Sequence, residues 1–434
     1  MKILYMNKNF SLLLSGKLIS LLGSSIYYIG LVWYILSLPG TENGWMLTWV
    51  MVLSLLPTVL LGTFIGSMVD RYNKKKVIVF SDICSGMTVL LMTHLLYNGT
   101  LHPAMILIST SILSITTSAL SIAVKSIIPE ILSFEELQTA NSSNLFVERI
   151  TSLMGLMFGG MLVGLFGTKV VFLFNGLSFL ISAGFEMFID YDHEIPVQIN
   201  TEQPSLLRDF QDIKDYLSLQ HRIKTLLLTF TFVNFLWDPL FAVVVPFVLK
   251  AEFSITPVEF GLIEGSLGLG FCLASIYFSK KPAFLQNDRV LYISILVINT
   301  MICLFALPIV FQSTFIRIPY LFLYFMAALL IAGCFSSALN ISVATFIQKT
   351  VPPHFRGKFH GVSTSIAMGL TPLSGIVYGS LIGKINSSLF FIISCGLIYM
   401  AVFFIPSIRY LIKHFYDHEE KQVHDPCLLE PIHE

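Results

Sequence analysis

Apolar runs of bilayer length recur along this chain, and that recurrence limits its fold more than any other feature. A helix needs roughly 20 mostly apolar residues to cross a hydrocarbon core. With no water inside that core, each backbone N–H and C=O must be satisfied within the segment, so runs of this length become helices. Breaking the sequence at charge, Gly, Pro and Asn predicts twelve spans: 10–36, 45–69, 77–97, 103–124, 145–166, 169–189, 223–249, 257–279, 290–312, 317–347, 359–383 and 387–411. Of the 434 residues, only 12% are charged, against about 25% in a typical soluble domain. Folded as one soluble core, the chain would have almost nothing to turn towards water. The expected fold is therefore all-α and integral to a lipid bilayer.

The longest polar stretch, Asp190 to Arg222, falls between the sixth and seventh spans. It divides the chain into an N-terminal six-helix bundle (1–190), a linker (191–222), a C-terminal six-helix bundle (223–412) and a tail (413–434). Within the linker, Leu206, Leu207, Phe210, Ile213 and Leu217 recur at helical spacing and fit either a surface helix or a solvated connection. Lys and Arg set the orientation. If the N-terminus is cytoplasmic, that side receives Lys8, Arg71, Lys74, Lys75, Lys76, Lys125, Lys280, Lys281, Arg356 and others, whereas the opposite side receives Lys169, Lys250, Arg317 and Lys384. This bias places both termini in the cytoplasm of a cell membrane.

The two halves echo one another. Ile128-Pro129 follows the fourth span and Val351-Pro352 the tenth; a basic loop follows the second span and Lys280-Lys281 the eighth. Such a repeat is what a duplicated transporter shows. The loop after the second span is the most informative stretch. Gly62 and Gly66, four residues apart, leave one helix face free of side chains for close approach. Asp70 at the membrane edge can sit against a helix N-terminus, and Arg71, Lys74, Lys75 and Lys76 hold the turn in water.

That loop resembles the signature of the major facilitator superfamily, and the likeness in layout covers the whole chain. Gly16 to Gly23 in the first span and Leu137 to Asn144 resemble the drug-exporting branch typified by bacterial macrolide efflux proteins. The resemblance implies two six-helix bundles rocking about a central cavity lined mainly by spans 1, 4, 7 and 10, with Asp70 and Arg71 locking contacts between bundles. The exporter motif of the fifth span matches at Gly155, Gly159 and Gly160, with Leu156 where that branch carries proline. The fourth span holds no arginine, and Ser24 stands where relatives often have an acid. The family's usual proton route is therefore not transferable residue by residue.

A charged side chain inside a bilayer is costly and asks for a reason. Asp82, Glu148, Glu186 and Asp190 lie towards the cytoplasmic helix ends and read as structural, with an edge network of Glu148, Arg149 and Asp82 expected. Lys17 is expected to snorkel to the cytoplasm rather than pair with an acid. Asp238 and Glu264 differ: they lie about 22 Å and 12 Å along their spans at 1.5 Å per residue. Asp238 precedes Pro239, whose missing donor frees a carbonyl and bends the helix. A carboxylate beside such a break can take up and release a proton as its surroundings alternate between wet and dry. The competing structural role for Asp238 is a hydrogen bond to Asn234, one turn back. Tyr27, Tyr28 and Trp237 suit an amphiphilic organic cation, or else face lipid and neighbouring helices.

Several classes are disfavoured. Zero formal net charge gives no case for nucleic acid, and without a Walker loop there is no built-in ATPase. The cysteines read as buried hydrophobes, and the His414/His418 pair in the tail as uncatalytic. No cofactor or metal is expected. The expected partners are a small-molecule substrate, a proton or other cation and the lipid bilayer, with the protein as a monomer. The leading function is ion-driven export of hydrophobic or amphiphilic compounds by proton antiport. A metabolite importer or exporter on the same fold, or a non-transporting membrane sensor, remains open.

Overall fold

The computed structural model describes residues 7–38, 44–133, 136–191, 216–218, 220–280, 288–311, 321–351, 359, 363, 366 and 368–404. The helices are α1 (Lys8–Ile35), α2 (Trp45–Arg71), α3 (Lys74–Tyr97), α4 (Pro103–Ile131) and α5 (Leu137–Met187) in the first half. The second half holds α6 (His221–Pro239), α7 (Val245–Ala251), α8 (Pro257–Lys280), α9 (Asp288–Leu304), α10 (Ala306–Val310), α11 (Leu321–Thr350), α12 (Thr371–Leu381) and α13 (Ser387–Phe404). Among the described residues, nine helical stretches are long and apolar enough to cross a membrane. With α5 counted as two spans, and α12 and α13 as the described parts of the last two, these account for the twelve expected. Of the linker, 216–218 is helical; the other residues of the expected surface helix, and the tail, lie outside the described residues.

At 1.5 Å per residue the 51 residues of α5 would run about 77 Å if straight, far more than a bilayer. The break is Gly167, at φ 77° and ψ 169°, a backbone region that a Cβ makes costly. The chain reverses there, as contacts with α1 show. A Cβ placed at Gly155 or Gly159 of the first arm would meet Ser25 or Ile26, so this arm runs parallel to α1. In the second arm the order reverses: Gly16 faces Ser182, Gly23 faces Ser178 and Gly30 faces Val171. Three glycines seven residues apart thus give α1 a side-chain-free stripe. In lipid, where apolar burial drives little, such small-residue faces hold helices together.

Ion pairs bind the first half at the end that carries Lys8, Lys74 and Lys125, the basic end. Lys17 Nζ lies 2.6 Å from both Glu148 Oε1 and Asn144 Oδ1, joining α1 to α5. Lys17 therefore does not snorkel: a carboxylate within reach compensates the ammonium better than a stretched side chain does. Lys74 bonds Glu130 at 2.7 Å, and the Tyr191 hydroxyl donates to the same carboxylate. The expected edge network with Asp82 does not form. Glu148 goes to Lys17, Arg149 sits over the Phe271 ring at 5.4 Å, and Asp82 lies instead by Glu186 of the second arm of α5.

The halves meet at the end opposite the basic one. The glycines Gly160 of α5 and Gly261 of α8 pack backbone to backbone: a Cβ at Gly261 would lie 2.7 Å from Gly160 Cα. Gly375 and Gly379 of α12 receive Met51 and Thr48 of α2. Lys250 donates to the Trp33 carbonyl and the Ser37 hydroxyl and lies over the Trp33 ring. Accordingly, one hydrophobic cluster runs through both halves, from Ile29 and Val32 to Leu240 and Phe260. At the basic end, Phe10, Ile65, Val69, Ile78 and Ile127 form a separate cluster confined to the first half.

Candidate functional site

Between the halves lies a cavity of about 550 Å³, walled by α1, α2, α4, the second arm of α5, α6, α8 and α12. Its wall includes Tyr27, Tyr28, Asp238 and Glu264, four of the residues singled out in the sequence. Asn234 and Trp237 do not line it. Tyr27 and Tyr28 share the cavity face of α1 with Ser24, Leu31 and Val32, whereas on α6 Trp237 is turned about 100° from Asp238 and Asn234 lies one turn nearer the basic end.

The break at Asp238-Pro239 takes a specific form. Pro239 supplies no N–H, and its ring crowds the carbonyl four residues earlier. Leu240 N–H bonds to Trp237 O instead of to Leu236 O, and Leu240–Val244 continue as a π-helical turn. The carbonyl of Leu236, released from the helical ladder, accepts the Tyr378 hydroxyl at 3.2 Å. Tyr378 also touches Ser394 Oγ at 2.5 Å. Asp238 Oδ2 accepts from Thr371 Oγ1 at 3.0 Å. The partner of Asp238 thus lies on α12, 133 residues away in sequence, and not at the expected Asn234. Two residues of α12 clasp the irregular turn and aim the carboxylate at the cavity.

Glu264 faces the same space from α8. Its Oε1 is buried and meets no hydrogen-bond partner among the described residues, an arrangement that costs free energy when the group is charged. Tyr27 packs against Phe172 with ring centroids 4.8 Å apart. The other polar groups of the wall are Ser54, Thr110, Ser114, Thr117 and Asn175, set among apolar side chains such as Leu47, Val50, Phe179 and Phe241. Sequence reasoning passed over the α4 hydroxyls. Their signal is the spacing Thr110, Ser114, Thr117, which puts three polar groups on one face of an otherwise apolar helix. Among the described residues, no lysine, arginine or histidine lines the cavity, so its two carboxylates are uncompensated.

The conformational residues divide into packed and unpacked sets. Gly155 and Gly159 seat α5 on α1, and Gly160 seats it on α8. Leu156 retains the N–H that proline lacks, and no residue of the first arm leaves helical geometry before Gly167. By contrast, nothing among the described residues stands within 4 Å of a Cβ placed at Gly62 or Gly66. Leu60 and Phe64 on the same stretch are each 69% exposed. The described helices therefore supply no close neighbour along this glycine face in this conformation. Asp70 and Arg71 form the last turn of α2 and Lys75 lies in the first turn of α3.

Two helical halves closed at one end, with a largely apolar cavity that carries two carboxylates between them, define the class: a polytopic membrane transporter. The comparisons agree. The Major Facilitator Superfamily family model matches residues 13–371, and the chain belongs to that superfamily. It is 21% identical over 399 residues to macrolide efflux protein A of Streptococcus pyogenes, covering 92% of this chain and 95% of that one. It is 24% identical over 347 residues to YfiS, an uncharacterized transporter of the same superfamily from Bacillus subtilis, covering 79% of each. Among solved structures it resembles a bacterial homologue of the iron transporter ferroportin in an inward-facing state (TM-score 0.68, 14% identity, 92% of this chain and 98% of that one). It also resembles the nucleoside transporter NupG (TM-score 0.62, 17% identity, 92% and 99%).

Proposed function

We propose that this protein exports amphiphilic organic cations, macrolide-like compounds among them, across a cell membrane in exchange for protons. Both termini are cytoplasmic in this reading, the basic end faces the cytoplasm, and the structure is the inward-facing state of an alternating-access cycle. The observation that carries it is the cavity's charge: two carboxylates, aromatic rings and hydroxyls, with no cation beside them among the described residues. A cationic amine on an apolar scaffold satisfies both halves of that wall, with the amine on a carboxylate and the scaffold on the rings. A proton on the same carboxylate competes with the amine, and that competition is the simplest form of antiport.

Two further observations support it. Among the described residues the glycine face of α2 is bare where the halves part, and the opposite end is sealed, so the cavity opens towards the basic end. The relative named macrolide efflux protein A from Streptococcus pyogenes aligns along 92% of the chain. A metal cargo, as in the ferroportin homologue, has less support: among the described residues, no three His, Cys, Asp or Glu side chains come together to hold a metal ion.

The test is accumulation of a fluorescent cationic amine in proteoliposomes, with and without an imposed pH gradient. Asp238→Asn fixes the group in a neutral form that still accepts from Thr371. It should keep substrate exchange and lose accumulation against a gradient. Full gradient-driven accumulation by Asp238→Asn would exclude this carboxylate as the proton carrier. Growth of a pump-deleted bacterial host across a compound panel, with and without this chain, then defines the substrates.

A further inference from the structure

Outside the cavity, two more carboxylates lie buried in the first half, and they face each other. Asp82 of α3 is 0% exposed and Glu186 of α5 is 1% exposed. The register brings them together. Gly176 of the second arm packs on Leu90 and Gly86 packs on Leu180, so α3 and this arm run antiparallel, and one turn further on Asp82 comes level with Ser182 and Glu186. Helical side chains lean towards their own N-terminus. In antiparallel helices these two therefore lean towards one another, and the charge of Asp82 acts on Glu186.

Nothing cationic among the described residues answers them. Those residues hold two ion pairs, Lys17–Glu148 and Lys74–Glu130; Lys75 and Lys76 of α3 line a groove with Ile83 and Met187, and form no ion pair with either acid. From α1 the pair meets Gly16, whose added Cβ would lie 3.0 Å from Ser182 Oγ and 3.3 Å from Glu186 Cγ. From α4, Thr116 bonds Ser85 and not the acids. Ser182 donates to Glu186 Oε1 at 3.4 Å. Both oxygens of Asp82, and Oε2 of Glu186, are buried without a well-formed hydrogen bond, although the Ser182 hydroxyl also lies beside Asp82. The site is also distinct from the cavity. Phe179, which the cavity reaches, stands seven residues before Glu186 on the same arm, about 10 Å away along the helix.

Two adjacent carboxylates in a dry interior cannot both stay ionised and uncompensated. We propose that Asp82 and Glu186 form a proton-binding site, one proton shared between the two carboxyl groups, separate from the transport cavity. A proton fits better than a metal cation. A small metal ion asks for about six oxygens, whereas the side chains at hand are the two acids and Ser182, and the carbonyls around them belong to helices. Proton binding here forms one O–H bond and breaks none in the protein.

The test needs no substrate and no transport, so its outcome is independent of the export reading. Purified protein is followed by infrared spectroscopy through the deuterium-sensitive C=O stretch of neutral carboxyl groups, near neutral pH in choline chloride. The Asp238→Asn/Glu264→Gln protein, which lacks the cavity acids, should retain such a band. Adding Asp82→Asn and Glu186→Gln should abolish it, and both substitutions keep the neutral shape of the protonated pair. The gentler Asp82→Asn alone should displace the band, since Glu186 then meets an amide. A band that survives all four substitutions, or one that Asp82→Asn leaves at its original frequency, overturns the proposal. So does a band that vanishes when sodium replaces choline at constant pH, because the pair would then hold sodium.

Discussion

The backbone-to-backbone contact between the halves offers the sharpest test of how this molecule opens. In Gly261→Ala the new methyl would stand 2.7 Å from Gly160 Cα, 2.8 Å from Leu156 O and 2.9 Å from Gly160 N. All three are backbone atoms, so no side chain can rotate away and α5 and α8 must separate. Overpacking of this kind costs about 1–3 kcal/mol. The closed arrangement bears that cost, and one in which the two helices have parted does not. The equilibrium therefore shifts towards the parted form by about 5- to 150-fold. The reporter is Thr48→Cys in a background without native cysteines. Thr48 is 4% exposed and packs on Gly379 at the sealed end. An impermeant maleimide should label this cysteine slowly in the parent and faster by that factor in Gly261→Ala. Gly62→Ala, which meets nothing within 4 Å among the described residues, must not accelerate it. An unchanged rate in monodisperse Gly261→Ala would refute the claim that this glycine pair holds the sealed end shut.

Other outcomes follow from single contacts. Lys250→Met removes the ammonium from Trp33 and Ser37, and should speed labelling of the same cysteine about tenfold, the equivalent of ~1.4 kcal/mol. Lys17→Met leaves Glu148 unpaired and should destabilise the detergent-solubilised protein by about 3 kcal/mol, the low end for a buried pair, since the Glu148 side chain keeps 37% exposure. Lys17→Met/Glu148→Leu should recover most of that loss in a thermal-shift assay. Tyr378→Phe leaves the Leu236 carbonyl without its donor and should lower stability by about 1–3 kcal/mol, with a matching drop in melting temperature.

The spans were legible because apolar length and breaker residues are local properties. Asp238 was legible for a similar reason: an acid deep in a span and followed by proline announces a helix break without reference to any neighbour. Its partner was not, since Thr371 is brought to it only by the packing of α12 over the π turn. Lys17 shows the same limit. Its depth in the span is plain from sequence, but which acid it meets depends on α5 lying parallel to α1, a register set by Gly155 and Gly159. The Asp82–Glu186 pair needed still more, the reversal at Gly167 and an antiparallel match between α3 and the second arm. One sequence signal did exist. Asn175, Ser178, Ser182 and Glu186 recur every three or four residues, opposite Gly16, Ser20 and Gly23 of α1. Read together, those two stripes predict a buried polar seam, and an acid at its end is then no longer a helix-edge residue.

Charge balance joins these observations into one argument. Four cations of the described helices are engaged: Lys17 by Glu148, Lys74 by Glu130, Arg149 by the Phe271 ring and Lys250 by Trp33. Four membrane-embedded acids (Asp82, Glu186, Asp238 and Glu264) have no such partner among the described residues. A fixed lysine or arginine beside them would neutralise them permanently and leave nothing to exchange. Compensation must instead be supplied by a cation that can leave. In the cavity, on the reading proposed above, that cation alternates between a proton and the amine of the substrate as the halves rock. At Asp82 and Glu186, buried two helical turns from the cavity, the cation is the proton.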